Sequence, residues 1–143
     1  AVIRVNERQA IRMLGLLERH FPSLAGVRVA VLGLSFRPDT NDMRESPAVP
    51  LVERLLAAGA RVAAYDPAAA AEARKAFAGH PVDLCASLEE AVADAEAVLL
   101  VTRWEEFRRV PALIERRERP PVLIDGRRFL DKRSVARYEG IGL

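Results

Sequence analysis

Residues 27–67, VRVAVLGLSFRPDTNDMRESPAVPLVERLLAAGARVAAYDP, read as strand, long polar loop, helix and strand in one unit. The run Val27 to Gly33 is apolar and rich in valine, which suits a strand covered on both faces of a parallel sheet. Ser46 is an N-cap residue type, and Pro47 would stand at the first helical position, where its missing N–H costs nothing. A helix is therefore expected to begin near Pro47. Val49, Val52, Leu55 and Leu56 recur at helical spacing, and Gly59 follows as a stop after the last turn. The whole is a βαβ unit of the kind that handles nucleotides.

Where a dinucleotide fold places G-x-G-x-x-G, this chain has Gly33, Leu34, Ser35, Phe36, Arg37 and Pro38, followed by DTNDMRES. Without three closely spaced glycines the backbone cannot approach a pyrophosphate in the usual manner, so a standard NAD-binding half is not expected. Arg37 and Arg44 flank a loop at the carboxyl end of a parallel strand, where open α/β sheets place ligands. Arg44 also lies two residues before the helix N-cap, where the dipole favours an anion. A guanidinium fork can hold two phosphate oxygens, and Phe36 can pack its ring on a sugar or base. The plainer alternative is that Arg44 pairs with Asp42 or Glu45 to shape the loop, and that Phe36 is core.

Outward from this unit, strands and helices alternate. Residues 1–19 carry apolar positions mixed with charges, as in an amphipathic helix, and begin without a cap signal, so the chain is expected to be a piece of a longer one. HFPSLAG links that helix to the first strand. After Pro67, the alanine-rich stretch to Ala78 favours helix and Gly79 ends it. Val82 to Cys85 is a short strand, and Ser87 with Glu90 makes a capping box that opens a helix to about Asp94. Ala97 to Thr102 is the next buried strand, Pro111 to Arg117 a helix, and Pro121 to Ile124 a strand ending at Asp125, Gly126, Arg127 and Arg128. A short sixth strand fits Tyr138 to Gly142.

The expected fold is thus α/β: a doubly wound, Rossmann-like parallel sheet of five or six strands in three α/β/α layers, preceded by an N-terminal helix. Residues 1–24 read as helix end and connection, and residues 25–143 as the nucleotide-binding domain. Arg37, Arg103 and the pair Arg127 and Arg128 then stand at strand ends on one edge, although Arg103 and Trp104 are read first as rim and core. Asp66 ends the second strand, where a dinucleotide fold places its ribose-binding acid, yet an Asp-Pro turn accounts for it without a ligand.

At 143 residues, with half of them hydrophobic, the chain suits one domain with a proper core. A net charge of +2, with acids interleaved among the bases, gives no reason to expect nucleic acid. The single Cys85 excludes an internal disulfide and fits a reducing, cytoplasmic setting, and no Cys/His spacing suggests a metal. His20 and His80 stand alone and read as surface or capping residues. No apolar run suits a membrane span.

The motif GLSFRPDTNDMRESPA resembles the start of the C-terminal, UDP-binding domain of the UDP-glucose and GDP-mannose dehydrogenase family. VNERQ, AYDP, VTRWEEF and IDGRRFLD agree with that family in order, so the resemblance covers nearly the whole chain. It implies a nucleotide-sugar 6-dehydrogenase that carries the C6 alcohol to a carboxylate in two hydride transfers to NAD, through a thioester on a cysteine in G-x-G-G-x-C. Neither that motif nor G-x-G-x-x-G is in this chain, so no catalytic residue is expected here, and the fragment alone is expected to be inactive. NAD would be bound mainly by an N-terminal domain absent from this chain.

By position, the resemblance assigns Phe36 and Arg37 to the nucleotide sugar, Arg37 standing where the family has lysine. It assigns Arg44 to the NAD held by the other domain, and Arg127 to the substrate, with Arg128 the neighbouring alternative. A homodimer is implied for the full-length enzyme. UDP-glucose is the expected substrate. The alternatives are the GDP-mannose branch and a free-standing module that binds a nucleotide sugar without oxidising it.

Overall fold

The computed structural model describes residues 2–35, 43 and 46–140, with side chains from residue 7 onward. Six strands form one parallel sheet: β1 (Arg28–Leu32), β2 (Arg61–Tyr65), β3 (Val82–Leu84), β4 (Ala97–Leu100), β5 (Val122–Asp125) and β6 (Tyr138–Gly140). Their order across the sheet is β3-β2-β1-β4-β5-β6. The chain winds outward from β1 to one edge, crosses back, and winds to the other, which is the expected doubly wound topology. The sixth strand is present, pairing Leu123 with Tyr138 and Asp125 with Gly140.

Alternation along the central strands divides the core in two. Val29 and Val31 of β1, Ala97 and Leu99 of β4, and Val122 and Ile124 of β5 face one side. Ala30, Leu32, Val98, Leu100 and Leu123 face the other. Both sets are buried, which explains why these strands read as continuous apolar runs.

The first side is covered by α1 (Val2–Glu18), α2 (Ala48–Ala57) and α3 (Ala70–Ala76), and the second by α4 (Leu88–Val92) and α5 (Val110–Glu115). Leu51, Val52 and Leu55 form the buried stripe of α2, each contributing about 1.5–3 kcal/mol through the water it sheds. Ala10, Met13 and Leu17, one turn apart on α1, are buried in the same core.

The helix signals work as the residue types dictate. Ser46 Oγ accepts from the Ala48 N–H at 3.1 Å, and Pro47 already has helical angles while its carbonyl accepts from Leu51. Ser87 Oγ accepts from the Glu90 N–H at 3.1 Å. Glu90 answers by accepting from the Ala86 N–H, one residue earlier than an ordinary capping box requires. Helix α4 stops at Val92, and Arg117 donates to the carbonyls of Val92 and Ala95 just beyond it. Glu105–Arg109, between β4 and α5, forms a 3₁₀ turn that the charged sequence EEFRR did not announce.

Candidate functional site at the carboxyl edge of the sheet

Four strand ends meet at one edge. Gly33 leaves β1 at φ +92° beside Thr102, which follows β4. A Cβ on Gly33 would lie 2.6 Å from Thr102 Cβ and 2.7 Å from its backbone nitrogen. The absence of a side chain therefore serves the close approach of two strand ends. Thr102 Oγ1 donates to the Ser35 carbonyl at 3.0 Å and completes the junction.

Asp66, at the end of β2, is the hub of this edge. Its Oδ2 accepts from the Leu34 N–H at 2.7 Å, the Ser35 N–H at 3.1 Å, Ser35 Oγ at 3.2 Å and Trp104 Nε1 at 3.2 Å. Its Oδ1 accepts from the N–H groups of Ala68 and Ala69 at 2.8 and 2.9 Å, the local turn expected of Asp-Pro. The Leu34 and Ser35 N–H groups follow the first strand, where a dinucleotide fold turns backbone donors toward a pyrophosphate. Here a carboxyl group of the chain itself takes them. The described residues therefore do not fit a dinucleotide at this turn.

Phe36, Arg37 and Arg44, singled out by the sequence, lie outside the described residues. Arg103, Arg127 and Arg128 are all exposed, just past the ends of the adjacent strands β4 and β5. Neither the Arg103 nor the Arg127 side chain has a hydrogen bond or ion pair among the described residues. Trp104 is half-buried and joined to Asp66, so it belongs to the frame of the edge.

The loop after β5 is fixed by Asp125, which is fully buried. Its Oδ1 accepts from the Arg127 N–H at 3.0 Å, and its Oδ2 from the Leu130 N–H and from Tyr138 Oη, both at 2.8 Å. Burial, then the Asp125 hydrogen bond, push the Tyr138 phenol well above its ordinary range and keep it a donor. Arg128 turns into the left-handed region at φ 51°, unlike any other described residue apart from glycines. Arg108 stacks its guanidinium 4.3 Å from the Phe129 ring centre, joining the turn after β4 to this loop. Asp125, Tyr138 and Asp66 were not foreseen as organisers. An acid at the carboxyl end of a strand, the last residue of β5 and the first past β2, is the one available signal.

On the same edge Tyr65 Oη donates to Glu106 at 2.7 Å, and burial, with that hydrogen bond next, pushes its phenol upward. Elsewhere, a cleft of about 420 Å³ opens at the amino edge of the strands. Its Arg28 is engaged by the Asp94 carbonyl and by Glu96. No group of three or more His, Cys, Asp or Glu side chains suited to a metal occurs among the described residues, and none of the described helices is long and apolar enough to cross a membrane.

Cys85 is partly buried just past β3, its Sγ 3.7 Å from the Asp83 carbonyl. Burial, then the charge of Asp83, push its thiol up to about 11. At pH 7.5 it is protonated, so its alkylation by iodoacetamide should run about a hundredfold slower than that of a free thiol. The rate should climb about tenfold per pH unit between pH 8 and 10. Mass spectrometry of the timed reaction tests this, and free-thiol reactivity at pH 7.5 would contradict it.

Residues 30–132 match the UDP-glucose/GDP-mannose dehydrogenase family, UDP binding domain. The chain is 43% identical over 142 residues to the UDP-glucose 6-dehydrogenase AglM of Haloferax volcanii, covering 99% of this chain and 32% of that protein. Among solved structures, a UDP-glucose dehydrogenase from Pyrobaculum islandicum superposes with a TM-score of 0.82 at 35% identity, over 96% of this chain and 30% of the other. A GDP-mannose dehydrogenase from Pseudomonas aeruginosa superposes at 0.74 and 27% identity, over 98% and 33%. The chain thus spans about a third of the length of the relatives it matches.

Proposed function

The chain belongs to the UDP-glucose/GDP-mannose dehydrogenase family, matching its UDP binding domain, and from that premise we propose that it grips the nucleoside diphosphate end of a UDP-sugar. The observation that carries the reading is Arg127, an exposed guanidinium with no partner among the described residues, on a backbone that buried Asp125 fixes at the carboxyl end of β5. Such a group is available to a phosphate and is held where open α/β sheets bind ligands. Phe36 and Arg37 are proposed to contact the same nucleotide sugar.

Arg44 is proposed to reach an NAD bound outside this chain, since Asp66 occupies the backbone donors that a dinucleotide would need here. In the whole enzyme NAD would supply the hydride acceptor, and the oxidised carbon would lie away from this domain. The part of this chain is to provide binding energy remote from the reacting carbon and to keep water out. By itself the chain would not turn over, and the full-length protein would work as a cytoplasmic homodimer. UDP-glucose is preferred to GDP-mannose because AglM is 43% identical whereas the GDP-mannose dehydrogenase is 27% identical.

Calorimetric titration of the chain with UDP, UDP-glucose, GDP and NAD tests this. UDP is expected to bind, and Arg127→Ala to weaken it roughly 10- to 100-fold, the loss of a charged hydrogen bond. Mixing UDP-glucose and NAD with the chain should yield no NADH. Unaltered UDP affinity in Arg127→Ala would remove the reading.

A further inference from the structure

The Gly126–Arg127 peptide is held at both of its polar ends by different parts of the chain. Its N–H, on Arg127, donates to Asp125 Oδ1 at 3.0 Å. Its carbonyl, on Gly126, accepts from Gln9 Nε2 of helix α1 at 2.8 Å, across 117 residues of sequence. A peptide unit is planar, so fixing both ends fixes the plane and the place of the Arg127 Cα at its edge, the base from which the side chain leaves.

Helix α1 also supplies the surface against which this peptide rests. A Cβ on Gly126 would lie 2.7 Å from Met13 Sδ, 2.9 Å from its Cε and 3.0 Å from the Leu100 carbonyl. The Gly126 N–H donates to that carbonyl at 2.9 Å, so the loop extends the β4–β5 pairing directly onto the helix. Gln9 is only partly buried, yet its amide reaches a carbonyl that no described strand partner takes.

We propose that Gln9 is a positioning residue for Arg127, through which helix α1 sets the affinity of the carboxyl edge for a nucleoside diphosphate. The proposal rests on the reading of Arg127 given above. Displacing α1, or removing the Gln9 donor, frees the Gly126 carbonyl to rotate. The guanidinium then samples directions away from the ligand, and affinity falls in proportion.

Gln9→Met keeps the length of the side chain and deletes the donor. UDP titration should show affinity reduced about five- to tenfold, the worth of one hydrogen bond. Placed on Arg127→Ala, the same substitution should change affinity no further, because its effect passes through that guanidinium. Hydrogen exchange supplies a readout without ligand: the Arg127 amide should lose protection in Gln9→Met while those of β4 keep theirs.

Equal UDP affinity in Gln9→Met and the unaltered chain would overturn the proposal, as would additive losses in the double variant or an unchanged Arg127 exchange rate. If Arg127→Ala leaves UDP binding intact, the reading of Arg127 fails instead, and does so whatever Gln9→Met shows.

Discussion

Replacing Asp66 with alanine lowers the stability of the domain by about 3–6 kcal/mol, because several buried donors lose their acceptor together. The carboxyl group accepts from four backbone N–H groups, the Ser35 hydroxyl and the Trp104 indole. An unsatisfied buried donor costs about 1–3 kcal/mol each, and water entering the vacated space recovers part of the sum. In urea the midpoint of unfolding should fall by about 2 M or more. Asp66→Asn keeps one acceptor oxygen but turns an NH2 group toward N–H groups, so an intermediate loss of about 2–3 kcal/mol is expected. A midpoint for Asp66→Ala within about 0.3 M of the unaltered chain would show that the edge does not depend on this carboxyl group.

Gly33→Ala should cost about 2–5 kcal/mol, combining the left-handed backbone with a direct collision. At φ +92° its Cβ would stand 2.6 Å from Thr102 Cβ and 2.7 Å from Thr102 Oγ1, so the two strand ends must separate. That movement also strains the hydrogen bond from Thr102 to the Ser35 carbonyl. Gly79→Ala is the matched control: its φ is +83°, and nothing lies within 4 Å of an added Cβ. Only the backbone term remains there, about 1–2 kcal/mol, partly offset by the lower entropy of the unfolded chain. Parallel urea melts should separate the two variants clearly. Equal losses would mean that the approach of Gly33 to Thr102 carries no steric cost.

Much of this fold is legible because the signals are local. The apolar runs of β1 and β4, the Ser46–Pro47 start and the Ser87 cap each need only a few neighbouring residues to be understood. The Asp66 turn shows where such reading stops. Its Oδ1 bonds lie two and three residues away and were expected from Asp-Pro, whereas its Oδ2 bonds depend on β1 and β2 being adjacent. Trp104 was read as rim or core for the same reason, and its bond to Asp66 exists only once β4 lies beside β1.

His20, read as a surface or capping residue, stands between Arg137 and Glu139 of the last strand region, at 3.5 and 3.3 Å. No pattern in the residues around His20 indicates that. Strand β6, which the sequence offers only as an option over Tyr138 to Gly142, is described as Tyr138–Gly140, three residues with Glu139 in the middle and two of them half-buried. Residues 141 and 142 lie outside the described residues. At the site, Arg103, Arg127 and Arg128 do share an edge, as the strand alternation requires. The clamp on the Gly126–Arg127 peptide was invisible, since Gln9 and Gly126 are 117 residues apart.

That separation also bears on how the molecule is made. Among the described residues the sheet has no hairpin, and every ladder joins strands that a crossover keeps apart, so the nucleus must close long loops before contacts reward it. Helix α1 is synthesised 117 residues before the carbonyl it grips, about 6–23 s at ordinary elongation rates. Throughout that interval Ala10, Met13 and Leu17 have no finished sheet to cover them. The helix whose Gln9 holds the Gly126 carbonyl thus meets α2 early and the completed sheet late, and in between part of its apolar stripe stays open to chaperones and to aggregation.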